Sequence, residues 1–123
     1  MTGCGVHFSY PCVSNEVLQQ ILGAALCLMY VPFFEGFGIP ILEGMNTDVP
    51  VITSNITSMP EVGGGAVLLA DPFNPNSIKE QMERIALDSD LRLSLIEKGR
   101  IRRMDFSWDR TAGLLWKSIE KAL

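Results

Sequence analysis

With 123 residues and 47% hydrophobic side chains, the chain has room for one domain, which at this size buries roughly two thirds of the surface its unfolded form exposes. A formal charge of −4 without a long basic run argues against nucleic acid as a partner, since that needs clustered Lys and Arg. No apolar run approaches the ~20 residues of a membrane span, and the N-terminus lacks the charged and apolar regions of a signal peptide, so the chain reads as cytoplasmic.

Val6 to Tyr10 alternates like a short strand. Ser14, followed by Glu16 and the apolar positions Val17, Leu18, Ile21 and Leu22, predicts a capped helix ending near Gly23. Ala25 to Val31 is a continuous apolar run closed by Pro32, the pattern of a strand buried on both faces, and Cys27 lies inside it. The three cysteines, Cys4, Cys12 and Cys27, are odd in number and lack C-x-x-C spacing, which reads as free thiols rather than a disulfide or metal site. A short helix over Ile39 to Met45, a strand over Val49 to Thr53 and a strand over Ala66 to Ala70 follow, so strands and helices alternate and a parallel α/β sheet results.

From Asn76 the pattern is helical: Ile78, Met82, Ile85 and Ala86 mark one apolar face, Leu91, Leu93, Leu95 and Ile96 a second, and Leu114, Leu115, Ile119 and Ala122 a third. Ser107 suits the N-cap of the last helix, where Trp108 and Trp116, eight apart, are expected to pack on one face. Lys98, Arg100, Arg102 and Arg103 read as a solvated helix face. His7, on the first strand, is assigned no catalytic role, and Asp71 reads as a turn initiator.

Chemistry concentrates in Phe33 to Met45. Gly36 and Gly38 permit a tight turn and close approach to a ligand, and Pro40 suits the first turn of a helix because its missing N–H would have no intrahelical partner there. That helix start aims unpaired N–H groups and the positive end of its dipole at whatever lies over the turn, which favours a phosphate. Glu35 precedes the helix and Glu43 lies about one turn into it, so the two carboxylates can flank one ligand at different depths.

Glu35-Gly-Phe-Gly-Ile-Pro-Ile-Leu-Glu43-Gly-Met, then Val49-Pro-Val-Ile-Thr-Ser-Asn55, Pro60-Glu-Val-Gly63, Val67-Leu-Leu-Ala-Asp-Pro72 and Phe106-Ser-Trp-Asp-Arg-Thr-Ala112, resembles the retaining glycosyltransferases of family 4, which have the GT-B fold. The departures are Asp48, where the family often has Gly, and Gly65, where it often has Asp. The resemblance runs from about Val13 to the end, and implies that residues 1–123 are an incomplete C-terminal nucleotide-sugar-binding domain, a partial Rossmann-like sheet with C-terminal helices.

It further implies transfer of a sugar from a nucleotide diphosphate sugar to a hydroxyl of a glycan or lipid-linked acceptor, with no metal or other cofactor and with peripheral membrane contact open to the full enzyme. Glu35 would face the donor sugar and its anomeric centre, Glu43 would bond the ribose, and the N–H groups of Gly36, Phe37, Gly38 and Ile39 would hold the distal phosphate. The family's basic phosphate ligands and its acceptor domain match no part of the chain, so the chain alone is expected to be inactive. The family's strand order, 3-2-1-4-5-6, would leave Ala25 to Val31 as an unprotected edge, to be covered by Val6 to Tyr10 or by a homodimer.

Three alternatives remain: a GT-B sugar-nucleotide epimerase, a non-catalytic nucleotide-binding or interaction module, and a glycosidase using Glu35 and Glu43 as its carboxylate pair.

Overall fold

The structure, a computed structural model, describes residues 13–123; Cys4, Cys12, His7 and the Val6 to Tyr10 strand lie outside them. Helix α1 (Asn15–Gly23) opens the described chain, with the Ser14 hydroxyl accepting from the Val17 N–H as its cap. Strand β1 (Leu28–Tyr30), helix α2 (Ile39–Asn46), strand β2 (Val51–Ser54), helix α3 (Met59–Gly63) and strand β3 (Leu68–Ala70) then alternate. The chain closes with α4 (Pro75–Leu87), α5 (Ser89–Arg102), a 3₁₀ turn (Arg103–Asp105) and α6 (Trp108–Glu120).

The strands form one parallel sheet in the order β1-β2-β3, with Leu28 opposite Val51 and Ile52 opposite Leu68. All three are shorter than the apolar runs predict. Ala25 and Leu26 are exposed, and pairing starts only where the Leu28 N–H donates to the Pro50 carbonyl at 2.9 Å. Among the described residues β1 pairs with β2 alone.

Side chains on a strand alternate between faces, so β2, at the centre, feeds two cores. Val51 joins Ile41, Met45, Met59 and Val62 on the side covered by α2 and α3. Ile52 joins Leu68, Ala70, Ile85 and Leu95 on the side covered by α4 and α5. Burying a branched aliphatic side chain contributes about 1.5–3 kcal/mol, so a strand supplying both layers holds the sandwich together. Gly44 allows α2 to lie directly on β2, since a Cβ there would meet Val51 Cγ2 at 2.6 Å.

The helices depart from the predicted faces in instructive ways. On α4 the buried positions are Gln81 and Ile85, whereas Met82 is exposed; Gln81 is tolerated inside because its amide oxygen accepts from Arg84 at 2.8 Å. On α5 the inward row is Leu91, Leu95 and Gly99, four apart, which leaves Leu93 outside. Helix α6 begins at its predicted cap, Ser107, but buries no residue: Trp108 is 84% and Trp116 59% exposed. The expectation that these tryptophans pack is not met among the described residues. Helix α3 has no counterpart in the sequence reading, because its five residues are too few to show a period.

Of the basic cluster, Lys98 and Arg100 are exposed as expected, whereas Arg102 and Arg103 are partly buried and structural. Arg102 donates to the Glu61 and Val62 carbonyls at 2.7 and 3.1 Å, satisfying the end of α3, and Arg103 donates to those of Met45 and Asn46 at the end of α2. Arg100 grips Asp48 through two bonds of 2.8 Å. Asp48 has φ 57°, a conformation that glycine adopts freely; Asp tolerates it and here also engages a guanidinium.

Candidate functional site

Parallel sheets bind ligands beyond the carboxyl ends of their strands, and the segment from Val31 to Gly38 leaves β1 at that end. Glu35 lies there, half-buried. Its carboxylate accepts from the Tyr30 hydroxyl at 2.6 Å and from the Gly36 N–H at 3.1 Å. Tyr30, then the Gly36 amide, hold the Glu35 carboxyl below the usual glutamate range, because both donate to the charged form. The same contact raises Tyr30, whose proton is held by the carboxylate.

Gly36 and Gly38 differ in what they serve. Gly38 is the N-cap of α2 with φ 99°, and a Cβ there would lie 2.6 Å from Met59 Cε, so its glycine is demanded by the protein's own packing. A Cβ on Gly36 would meet nothing within 4 Å. Nothing inside the described chain requires a glycine at Gly36, and the space above it is open to a ligand. No side chain caps α2, and Pro40 lies in its first turn. The Ile41 N–H bonds the Gly38 carbonyl at 3.0 Å.

Phe37 is pinned edge-on against Phe106, centroids 5.8 Å apart, and the Arg102 guanidinium stacks 4.8 Å over the other ring. Phe33 stacks at 5.1 Å on Phe73 from the turn after β3.

Glu43 occupies a different place. It lines a groove of about 180 Å³ between α1 and α2, with Asn15, Leu18, Gln19, Leu22, Asn46 and Thr47. Ile39 and Glu43 are one turn apart on the same side of α2, so a ligand touching both glutamates would cross the helix start and run along that side. A wider concavity of about 560 Å³ at the α4–α5 junction is lined by Glu80, Glu83, Asp88 and Asp90 against the single cation Arg84, a net charge that disfavours an anionic ligand. Among the described residues no group of three or more His, Cys, Asp or Glu could hold a metal ion. Nor is any described helix long and apolar enough to cross a membrane. Cys27 is a free thiol raised by burial.

Sequence reasoning missed Tyr30 and Ser58. The one available signal for Tyr30 was a hydroxyl within an apolar run. Ser58, whose hydroxyl lies 3.1 and 3.2 Å from the Glu35 and Phe37 carbonyls, gave none, since the contact spans more than twenty positions.

A parallel α/β sheet with helices on both faces and a glycine turn at the carboxyl end of β1 defines a Rossmann-like fragment. The chain belongs to the glycosyl transferases group 1 family, whose model matches residues 6–102. It is 40% identical over 97 residues to the O-antigen chain mannosyltransferase B of Escherichia coli, covering 79% of this chain and 26% of that protein. It is 33% identical over 100 residues to the serotype-specific mannosyltransferase WbdA of Escherichia coli, 80% of this chain and 12% of that one. Against the MMP alpha-(1->4)-mannosyltransferase of Mycolicibacterium hassiacum the identity is 29% over 116 residues, 90% of this chain and 28% of the relative. The chain therefore spans between 12% and 28% of the length of these curated relatives. No solved structure matches it.

Proposed function

We infer that the chain is the donor-binding part of a retaining GT-B glycosyltransferase of family 4, which transfers a hexose from a nucleoside diphosphate sugar to a hydroxyl of a glycan or lipid-linked acceptor. The observation that carries this reading is the ionised Glu35 carboxylate beside the unobstructed backbone of Gly36, at the uncapped start of α2. Several relatives are named mannosyltransferases, which supports mannose as the sugar.

In this reading the amides of Phe37 to Ile39 receive the distal phosphate, joined by that of Gly36 once it leaves Glu35 Oε1, and the helix dipole offsets charge as the diphosphate departs. Glu35, an anion, stabilises positive charge developing at the anomeric carbon and accepts from the sugar hydroxyls. Glu43 accepts from the ribose in the groove beside α1. The bond from the anomeric carbon to the diphosphate breaks, one to the acceptor oxygen forms on the same face, and the acceptor proton passes to the leaving phosphate. No metal is required, because backbone amides carry the phosphate charge. The acceptor domain and basic phosphate ligands would be supplied by other parts of the enzyme, so the chain alone is inactive.

The test is a pair of variants in the whole enzyme. Glu35→Gln lowers kcat with little change in donor KM, and Glu43→Gln chiefly raises donor KM, because the first faces the reacting centre and the second a non-reacting ribose. Wild-type kcat in Glu35→Gln rejects the reading. The chain itself binds nucleoside diphosphates at millimolar affinity, roughly −4 kcal/mol, with NMR shifts centred on Gly36 to Glu43.

A further inference from the structure

The Glu35 turn is held from two directions. On one side the Tyr30 hydroxyl, at the last residue of β1, lies 2.6 Å from Glu35 Oε2. On the other, the Ser58 hydroxyl, just before α3, shares its proton between the carbonyls of Glu35 and Phe37, bracketing the peptide units around Gly36. The residue that delivers Ser58 is strained: Thr57 has φ 58°, a left-handed conformation that β-branched side chains rarely adopt. Such strain persists only where surrounding contacts impose it, and it gathers at functional positions. Phe37 is held in turn by Phe106, and that ring by Arg102.

Resting on the role assigned to Glu35 above, we propose that Tyr30 and Ser58 are positioning residues, a two-sided clamp that fixes the Glu35 carboxylate and the Gly36 backbone in the orientation the donor sugar and its phosphate require. Tyr30 holds Oε2 and the Gly36 N–H holds Oε1, which leaves one lone pair on each oxygen to the ligand. Ser58 fixes the peptide units whose amides face the phosphate. Preorganised groups need no rearrangement when charge develops, so loss of either hydroxyl falls on turnover more than on donor binding.

In the whole enzyme, Tyr30→Phe, which keeps the ring and removes only the hydroxyl, is expected to lower kcat about tenfold with donor KM changed less than twofold. Ser58→Ala lowers kcat about threefold, and Ser58→Thr, which keeps a hydroxyl, restores most of it. A second readout separates positioning from simple stability. In this chain, the Glu35 carboxyl followed by ¹³C NMR titrates at higher pH in Tyr30→Phe, and the acid limb of the kcat profile moves the same way.

Wild-type kcat in Tyr30→Phe, or lower activity with a lower melting temperature and an unmoved Glu35 titration, overturns the clamp while leaving the function intact. If Glu35→Gln itself keeps wild-type turnover, the function falls and the clamp with it.

Discussion

The left-handed backbone of Thr57 gives a stability prediction. Thr57→Gly releases a left-handed strain of about 1–3 kcal/mol and adds about 0.5–1 kcal/mol of chain entropy to lose, so the variant is expected to gain about 1 kcal/mol in a denaturant melt. Turnover of the whole enzyme should change little, because glycine adopts the same left-handed conformation and still delivers Ser58 to the Glu35 turn. Gly36→Ala and Gly38→Ala should separate cleanly. The first meets open space and folds normally but loses nucleoside diphosphate binding; the second collides with Met59 in a left-handed conformation and costs about 1–3 kcal/mol. Glutamate ionisation supplies a pH prediction. Glu35 has a folded value below its unfolded one, so its contribution to stability is present above the ordinary glutamate range and is lost as pH falls through the lowered folded value. Tyr30→Phe should flatten that dependence in acid melts.

The segments most legible in the sequence were those whose chemistry is local. Ser14 and Ser107 announced two helix starts, Gly38 and Pro40 announced a third, and the alternation of apolar runs with helical periods implied a parallel sheet. The Glu35 to Glu43 turn was likewise visible, since its glycines, proline and carboxylates lie within nine positions. What could not be read was tertiary. Arg102 and Arg103 looked solvated because nothing nearby in sequence shows that the carbonyls of α2 and α3 end beside them. Strand β2 holds a related surprise. Thr53 and Ser54 are fully buried, and neither hydroxyl has a partner among the described residues. Thr53→Val conserves shape and removes a polar group that costs about 1–3 kcal/mol when unsatisfied, so it should stabilise the chain, as thermal melts would show.

The described chain is a sandwich over residues 13–106 with an appended helix whose apolar side chains remain in water. Trp108, Leu115, Trp116 and Ile119 recur at helical spacing on α6, and none is buried. Removing the chain beyond Phe106 should therefore leave the melting midpoint of the rest nearly unchanged and reduce binding of a hydrophobic dye. The parallel sheet has a further consequence in time. Every strand pairing here must wait for a crossover to close: β2 pairs Ile52 with Leu68, sixteen positions on, and β1 pairs Leu28 with Val51, twenty-three on. Closing a longer loop costs more entropy before any contact rewards it, and non-local pairings slow the search. The β2–α3–β3 unit should accordingly condense first, with Ile52 and Leu68 giving high φ-values and Leu28 low ones. The Glu35 turn, which hangs from β1 and depends on Ser58 from the early unit, would then be the last part of the sheet's carboxyl end to take shape and the first to open.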